Sequence, residues 1–190
     1  MPEPFVRRVP PEAMPPHLRQ RWEADMANRD EAVFVEVAAN APELLDWYVD
    51  SFYGEIFAKG RVEHRIKQLA RMKLSTMHGC AYCNRGNSKA ALAAGVTQAQ
   101  LDSLHDIDHG PYDEAERAVL RLAEQMAMQN MAGHMSKPLY DDLRAHFDDA
   151  QIVELGMVMA MLTGMAKMLF VYDLVSREAS CPIAPPVAAE

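Results

Sequence analysis

Cysteine is scarce in this chain, with three in 190 residues, at positions 80, 83 and 181. Three thiols, one of them close to the C-terminus, do not make the disulfide framework of a small secreted module, so a reducing cytoplasm is the expected compartment. A basic excess is missing as well. Nineteen Lys and Arg against 27 Asp and Glu leave a formal charge of −8, a surface that repels phosphate backbones and makes a nucleic-acid partner unexpected. No apolar run approaches the roughly 20 residues needed to cross hydrocarbon. The longest lies at 155–166, is bracketed by Glu154 and Lys167, and reads as a core helix, so no membrane association is expected. The first twenty residues hold prolines and arginines without an apolar stretch, so no secretory signal is expected. Strand-type alternation is absent, and the brief 33–37 run also reads as helical. No solenoid-length repeat occurs.

A hydrophobic fraction of 49% and a charged fraction of 24% fit one soluble globular domain over 1–190. Proline-rich tails are expected at 1–16 and 179–190. Between them the apolar residues repeat at helical spacing. Helices are expected at 17–28, at 42–58 with Leu44, Leu45, Trp47, Tyr48 and Phe52 on the apolar side, and at 63–78, which Gly79 closes. Others follow at 80–94, after the Thr97–Gln100 capping box, at 114–129, at 137–147, and from Asp149 through to about residue 177. The fold class is therefore all-α. In the last helix Gly156, Ala160 and Gly164 form a bare stripe beside Met157, Met161, Met165 and Met168. Ordinary core packing explains it, and so does a subunit contact or an apolar cavity near the thiols.

Cys80 and Cys83 are the chain's clearest chemical feature. In a helix, residues i and i+3 lie roughly 5 Å apart, inside the range a disulfide tolerates. A helix start favours the thiolate, because its free N–H groups stabilise negative charge. Arg71, Arg85 and Lys89 would add to this if they face inward. On electrostatics alone Cys80, nearer the helix mouth, is favoured as the attacking sulfur. Three plain alternatives stand beside redox chemistry: half of a zinc site completed by His105 and His109, inert buried thiols, and an adventitious disulfide. The zinc spacing is poor, because a helix intervenes and no second CxxC is present.

The stretch KQLARMKLSTMHGCAYC at 67–83, followed by a small-residue helix ending at Gly95, resembles the carboxymuconolactone decarboxylase and alkylhydroperoxidase D (AhpD-like) family. The resemblance implies an all-α bundle that assembles as a homo-oligomer, often a trimer or hexamer. It implies reduction of a small hydroperoxide or disulfide through the cysteine pair, with no cofactor and no metal. Cys83 would be oxidised, Cys80 would resolve it, and an external dithiol would restore the pair. The family's thiol peroxidases carry a proton relay that is altered here. Gln68 stands where they have a glutamate, Asn87 where they have a histidine, and Tyr82 where a further histidine is frequent. Amides hold hydrogen bonds but take up no proton near pH 7, so slow turnover is expected. Gln68 and Asn87 would orient the thiols and Tyr82 would shape the entrance. His64, one turn before Gln68, is expected to face solvent, with relay duty as the alternative. The rival functional readings are a low-turnover oligomeric protein that binds an apolar ligand or senses oxidants, and a lactone decarboxylase-like enzyme. Members performing the latter reaction lack the cysteine pair.

Overall fold

The structure is a computed structural model, and it describes residues 2–179. Cys181 and all but the first residue of the expected C-terminal tail lie outside the described residues. Among the described residues nine α-helices follow a short 3-10 turn: α1 (Pro16–Arg29), α2 (Val33–Ala38), α3 (Pro42–Asp46), α4 (His64–His78), α5 (Ala81–Ala93), α6 (Gln98–Asp102), α7 (Glu114–Met126), α8 (Lys137–Arg144) and α9 (Asp149–Val171). Between α3 and α4 the helix continues as a π-helix over Trp47–Phe57. No strand occurs among the described residues, and the all-α class holds.

Helix α4 is the axis of the molecule. It packs on α5, α7 and α9, and its inner face supplies Ile66, Ala70 and Leu74 to a core shared with Val119, Leu122, Leu155, Val158 and Leu162. A buried ion pair pins α4 to α9, with Lys67 Nζ 2.9 Å from Glu154 Oε1. Glu154 also accepts the backbone N–H groups of Arg61 (2.6 Å) and Val62 (3.1 Å). Four bonds therefore satisfy both charges, since Lys67 donates as well to the Ile56 carbonyl, and burial at that depth is tolerated only with such partners.

The 42–58 segment departs from the sequence expectation. Leu44 and Trp47 are exposed, and the buried face is Leu45, Phe52 and Phe57. The aromatics explain the winding. Tyr48, Phe52, Tyr53 and Phe57 are four and five residues apart, and in an i→i+5 helix they stack on one side, with Tyr48–Tyr53 centroids at 5.2 Å and Tyr48–Phe52 at 5.6 Å. With 3.6 residues per turn, Phe57 would point about half a turn away from Tyr48.

Three capping boxes start helices, at Thr97, Asp113 and Asp148. The last falls one residue ahead of the expected Asp149, because Gln151 returns the bond to Asp148. Helices α7 and α8 each stop three residues short of expectation, and α9 ends at Val171 rather than 177. There Asp173 turns left-handed (φ 54°), and Leu174 and Val175 bury themselves against Cys80 and Tyr82. The N-terminal stretch is docked: Val9 donates its N–H to the Glu36 carbonyl and Met14 packs with Leu18, Val35 and Leu45.

Only one face of α9 is core. Ile152, Leu155, Val158, Met159, Leu162, Ala166 and Leu169 are buried, while Val153 and Met157 are exposed. A Cβ placed on Gly156 or Gly164 would meet nothing within 4 Å, so the bare stripe faces outward. By length and composition α9 is the one helix among the described residues that could cross a membrane, but its inner face belongs to the core.

Candidate active site

Helix α4 ends at Gly79, whose φ of 67° is left-handed and suits a residue without Cβ. The chain re-enters a helix at once. Cys80 is the N-cap of α5 in extended conformation, and its Sγ accepts the Cys83 N–H at 3.2 Å. A strap at 174–178 clamps this turn: Cys80 bridges Arg177, Glu178 N–H donates to the Gly79 carbonyl at 2.9 Å and Tyr82 N–H to the Ser176 carbonyl at 3.5 Å. Cys80 and Cys83 form a disulfide with Cα atoms 5.2 Å apart. The two sulfurs differ in access. Cys80 has no exposed surface, whereas Cys83 lines a cavity of about 310 Å³.

The walls of that cavity come from segments far apart in the chain. Phe34 of α2, Tyr48, Val49 and Tyr53 of the π-helix, and Leu162, Met165 and Leu169 of α9 make it largely apolar. Its polar groups sit in two places. On one side Tyr82 donates its hydroxyl to Asp25, which also pairs with Arg29. The Arg29 guanidinium lies 5.0 Å over the Tyr82 ring. It reaches that position because position 86 is glycine, where a Cβ would come within 2.5 Å of Arg29 Nε. Burial pushes the Asp25 carboxyl up, against the opposing pull of Arg29 and of the Tyr82 hydrogen bond. Burial also raises the Tyr82 phenol well above its ordinary range, and the Asp25 charge adds to it.

On the other side is Arg71, 8% exposed. Its Nη2 donates to Gln68 Oε1 at 2.6 Å, and its guanidinium lies over Phe57 (5.0 Å) and Tyr53 (5.8 Å). Gln68 Nε2 lies 2.8 Å from His64 Nε2, and His64 Nδ1 lies 3.2 Å from the Phe57 carbonyl. A carbonyl only accepts, so His64 carries its proton on Nδ1 and accepts from Gln68 through Nε2. Near the thiols His78 also lines the cavity. Its Nε2 accepts the Met128 N–H at 3.1 Å, and burial lowers its pKa to about 4. It is neutral at pH 7 with its acceptor nitrogen already engaged.

Of the residues expected from sequence, Cys83, Tyr82 and Asn87 line the cavity together. Asn87 makes no side-chain hydrogen bond with any described residue. Cys80 sits behind Cys83. Gln68 does not line the cavity and acts on it through Arg71. Tyr82 forms an inner wall, 6% exposed, instead of an entrance, because Asp25 holds its hydroxyl. His64 is turned inward onto Phe57 and Gln68 instead of facing solvent. Arg71 faces inward, while Arg85 and Lys89 bind the Arg29 and Asn28 carbonyls on the outside. His109 pairs with its neighbour Asp106, away from the thiols. Among the described residues no group of three or more His, Cys, Asp or Glu is placed to hold a metal. Asp25, Arg29 and Tyr53 were not found from the sequence, and Tyr48 was expected only on the apolar side of its helix. Only the four- and five-residue spacing of the aromatics offered a signal.

Comparison with known structures identifies the architecture. The chain superposes on an alkylhydroperoxidase AhpD core from Ralstonia eutropha JMP134, an uncharacterised peroxidase-related protein, with a TM-score of 0.70, 15% identity and 92% of each chain covered. It superposes equally well on the debrominase Bmp8 in complex with 2,3,4-tribromopyrrole, with a TM-score of 0.72, 19% identity and 93% of each chain covered. The fold is AhpD-like. Residues 42–125, the stretch that holds the cysteine motif, match the carboxymuconolactone decarboxylase family, so the resemblance drawn from that motif recurs over this stretch. A further relative, the uncharacterised YdfG of Bacillus subtilis (strain 168), is 26% identical over 98 residues. That match spans 51% of this chain and 66% of the relative.

Proposed function

We propose that this protein is a thiol-dependent oxidoreductase of alkylhydroperoxidase type, reducing organic hydroperoxides or disulfides through Cys83 and Cys80. The observation that carries the reading is the unequal access of the two sulfurs, one lining the cavity and one tethered behind it. With a hydroperoxide, the Cys83 thiolate attacks the terminal oxygen. The O–O bond breaks, the alkoxide leaves and takes a proton to become the alcohol, and Cys83 becomes a sulfenic acid. Cys80 then gives up its proton and attacks the Cys83 sulfur. The S–O bond breaks, water leaves with that proton, and the disulfide forms. An external dithiol reduces it by exchange and is itself oxidised. Access favours Cys83 as the attacking sulfur even though helix-start electrostatics alone favour Cys80.

The amides of Gln68 and Asn87 do not move protons, and positioned proton transfer is commonly worth 10²–10⁴-fold. Turnover is therefore slow. The test is consumption of tert-butyl hydroperoxide with dithiothreitol, wild type against Cys83→Ser. The expected result is a rate well above the variant's, and equal rates overturn the reading. A second reading, an oxidant sensor or ligand-binding protein of low turnover, draws on the aromatic cavity and the missing relay. It predicts one equivalent of disulfide formed per peroxide with no sustained consumption.

The same reading includes assembly as a homo-oligomer, a trimer or hexamer, through the outer face of α9. The open flanks of Gly156 and Gly164 beside exposed Val153 and Met157 support it. Light scattering after size-exclusion chromatography would return a multiple of 21.3 kDa, and Met157→Glu would shift it toward one chain. A wild-type monomer overturns this part. The compartment proposed is the cytoplasm, with neither nucleic acid nor membrane as partner.

A further inference from the structure

Three arginines line the cavity, Arg21, Arg29 and Arg71. Arg21 is paired with Asp46 and Asp50, and Arg29 with Asp25. Arg71 has no carboxylate partner among the described residues. Its one hydrogen bond goes to an uncharged amide, Gln68, and its Nε is buried without any partner. A guanidinium always carries its charge, and a buried charge costs heavily unless compensated. The two aromatic faces offset part of that cost. The His64–Gln68 chain fixes the side chain's orientation. Asn87, whose amide makes no side-chain hydrogen bond with any described residue, lines the same space.

We propose that the cavity is an organic-acid site: Arg71 receives the carboxylate of a small ligand whose apolar body rests on Tyr48, Tyr53, Leu162 and Leu169, next to Cys83. The planar fork of arginine suits carboxylate recognition, and about 310 Å³ holds one ring or a short branched chain. In calling that ligand a substrate, an acid-bearing hydroperoxide, the inference rests on the peroxidase reading. The anion site does not depend on it.

The test is isothermal titration calorimetry of the oxidised full chain at pH 7.5 with 4-isopropylbenzoate and with its neutral amide, 4-isopropylbenzamide. The acid is expected to bind about tenfold or more tightly, the scale of one charge-assisted contact. Arg71→Gln should bring the two ligands to equal affinity. Arg71→Lys, which keeps the charge should the first variant fail to fold, should retain a reduced preference. Equal affinities in the wild type, no measurable binding of either ligand, or a preference that survives in Arg71→Gln would overturn the proposal. Calorimetry needs no turnover, so the two ideas fail separately. Acid preference without peroxide consumption refutes the peroxidase reading alone, and consumption without acid preference refutes the anion site alone.

Discussion

Titration of His78 gives the sharpest link between this site and stability. The imidazole ends α4, is 8% exposed, and accepts the Met128 N–H through Nε2. Burial brings its pKa from 6.5 down to about 4. In the unfolded chain it protonates near 6.5; in the folded protein it stays neutral until about pH 4. Between those values the unfolded state holds one more proton, so stability rises with pH across the window at about 1.4 kcal/mol per pH unit. Going down from pH 7.5 to 4, the folded state therefore loses about 3 kcal/mol on account of this one ring. His78→Gln keeps an acceptor for Met128 and removes the titration. Urea unfolding at constant ionic strength, every half unit from pH 4 to 7.5, measures both proteins. Shifted carboxylates such as Asp25 contribute to both curves and cancel in the difference. That difference should be flat above pH 6.5, grow in the variant's favour below it, and level off near pH 4. Parallel curves through the whole window would refute the account.

Other expectations are equally direct. Glu154→Gln strands the Lys67 ammonium without its counter-charge and should cost about 3–5 kcal/mol, measured by urea unfolding, whereas Glu154→Gln with Lys67→Met should recover much of the loss. Gly79→Ala forces a Cβ into a left-handed conformation and should cost about 1 kcal/mol in the same assay, raising amide exchange at Tyr82 and Glu178 as the strap loosens. Tyr82→Phe removes the hydroxyl that Asp25 accepts and should cost about 2 kcal/mol; a neutral result would mean that the Asp25–Arg29 pair needs no third member.

What could be read from the sequence was what local rules control. Helices α4 and α5, the Gly79 turn between them and the capping box at Thr97 follow from spacing and cap chemistry that a few adjacent residues determine. The cysteine pair was legible for the same reason. The end of α9 was not, because nothing between 171 and 177 breaks a helix locally; the strap forms because Leu174 and Val175 find buried sites beside Cys80. The inward turn of His64 was missed too. Periodicity placed it near Gln68, but its orientation is decided by the Phe57 carbonyl, which the π-helix delivers. Asp25 and Arg29 were invisible because they carry no motif, and only the crossing of α1 over Gly86 brings them to Tyr82.

This division has a consequence for function. The thiol turn is built from contiguous residues in α4 and α5, within the segment that matches the family. Much of the wall that a ligand meets comes from α1, α2 and α9, which lie outside residues 42–125. A fold of this design can keep its cysteine pair while exchanging part of the cavity wall, since that part is encoded in different stretches. That fits a fold shared by a peroxidase-related protein and a debrominase. In this chain those outer stretches supply Asp25 and Arg29, Phe34, and the apolar Leu162, Met165 and Leu169, whereas Tyr48, Tyr53, Arg71 and Tyr82 lie within the stretch that matches the family. Swapping α1 or α9 residues should therefore alter which ligands bind while leaving thiol reactivity toward a small peroxide intact. Substitutions around Gly79 should do the reverse.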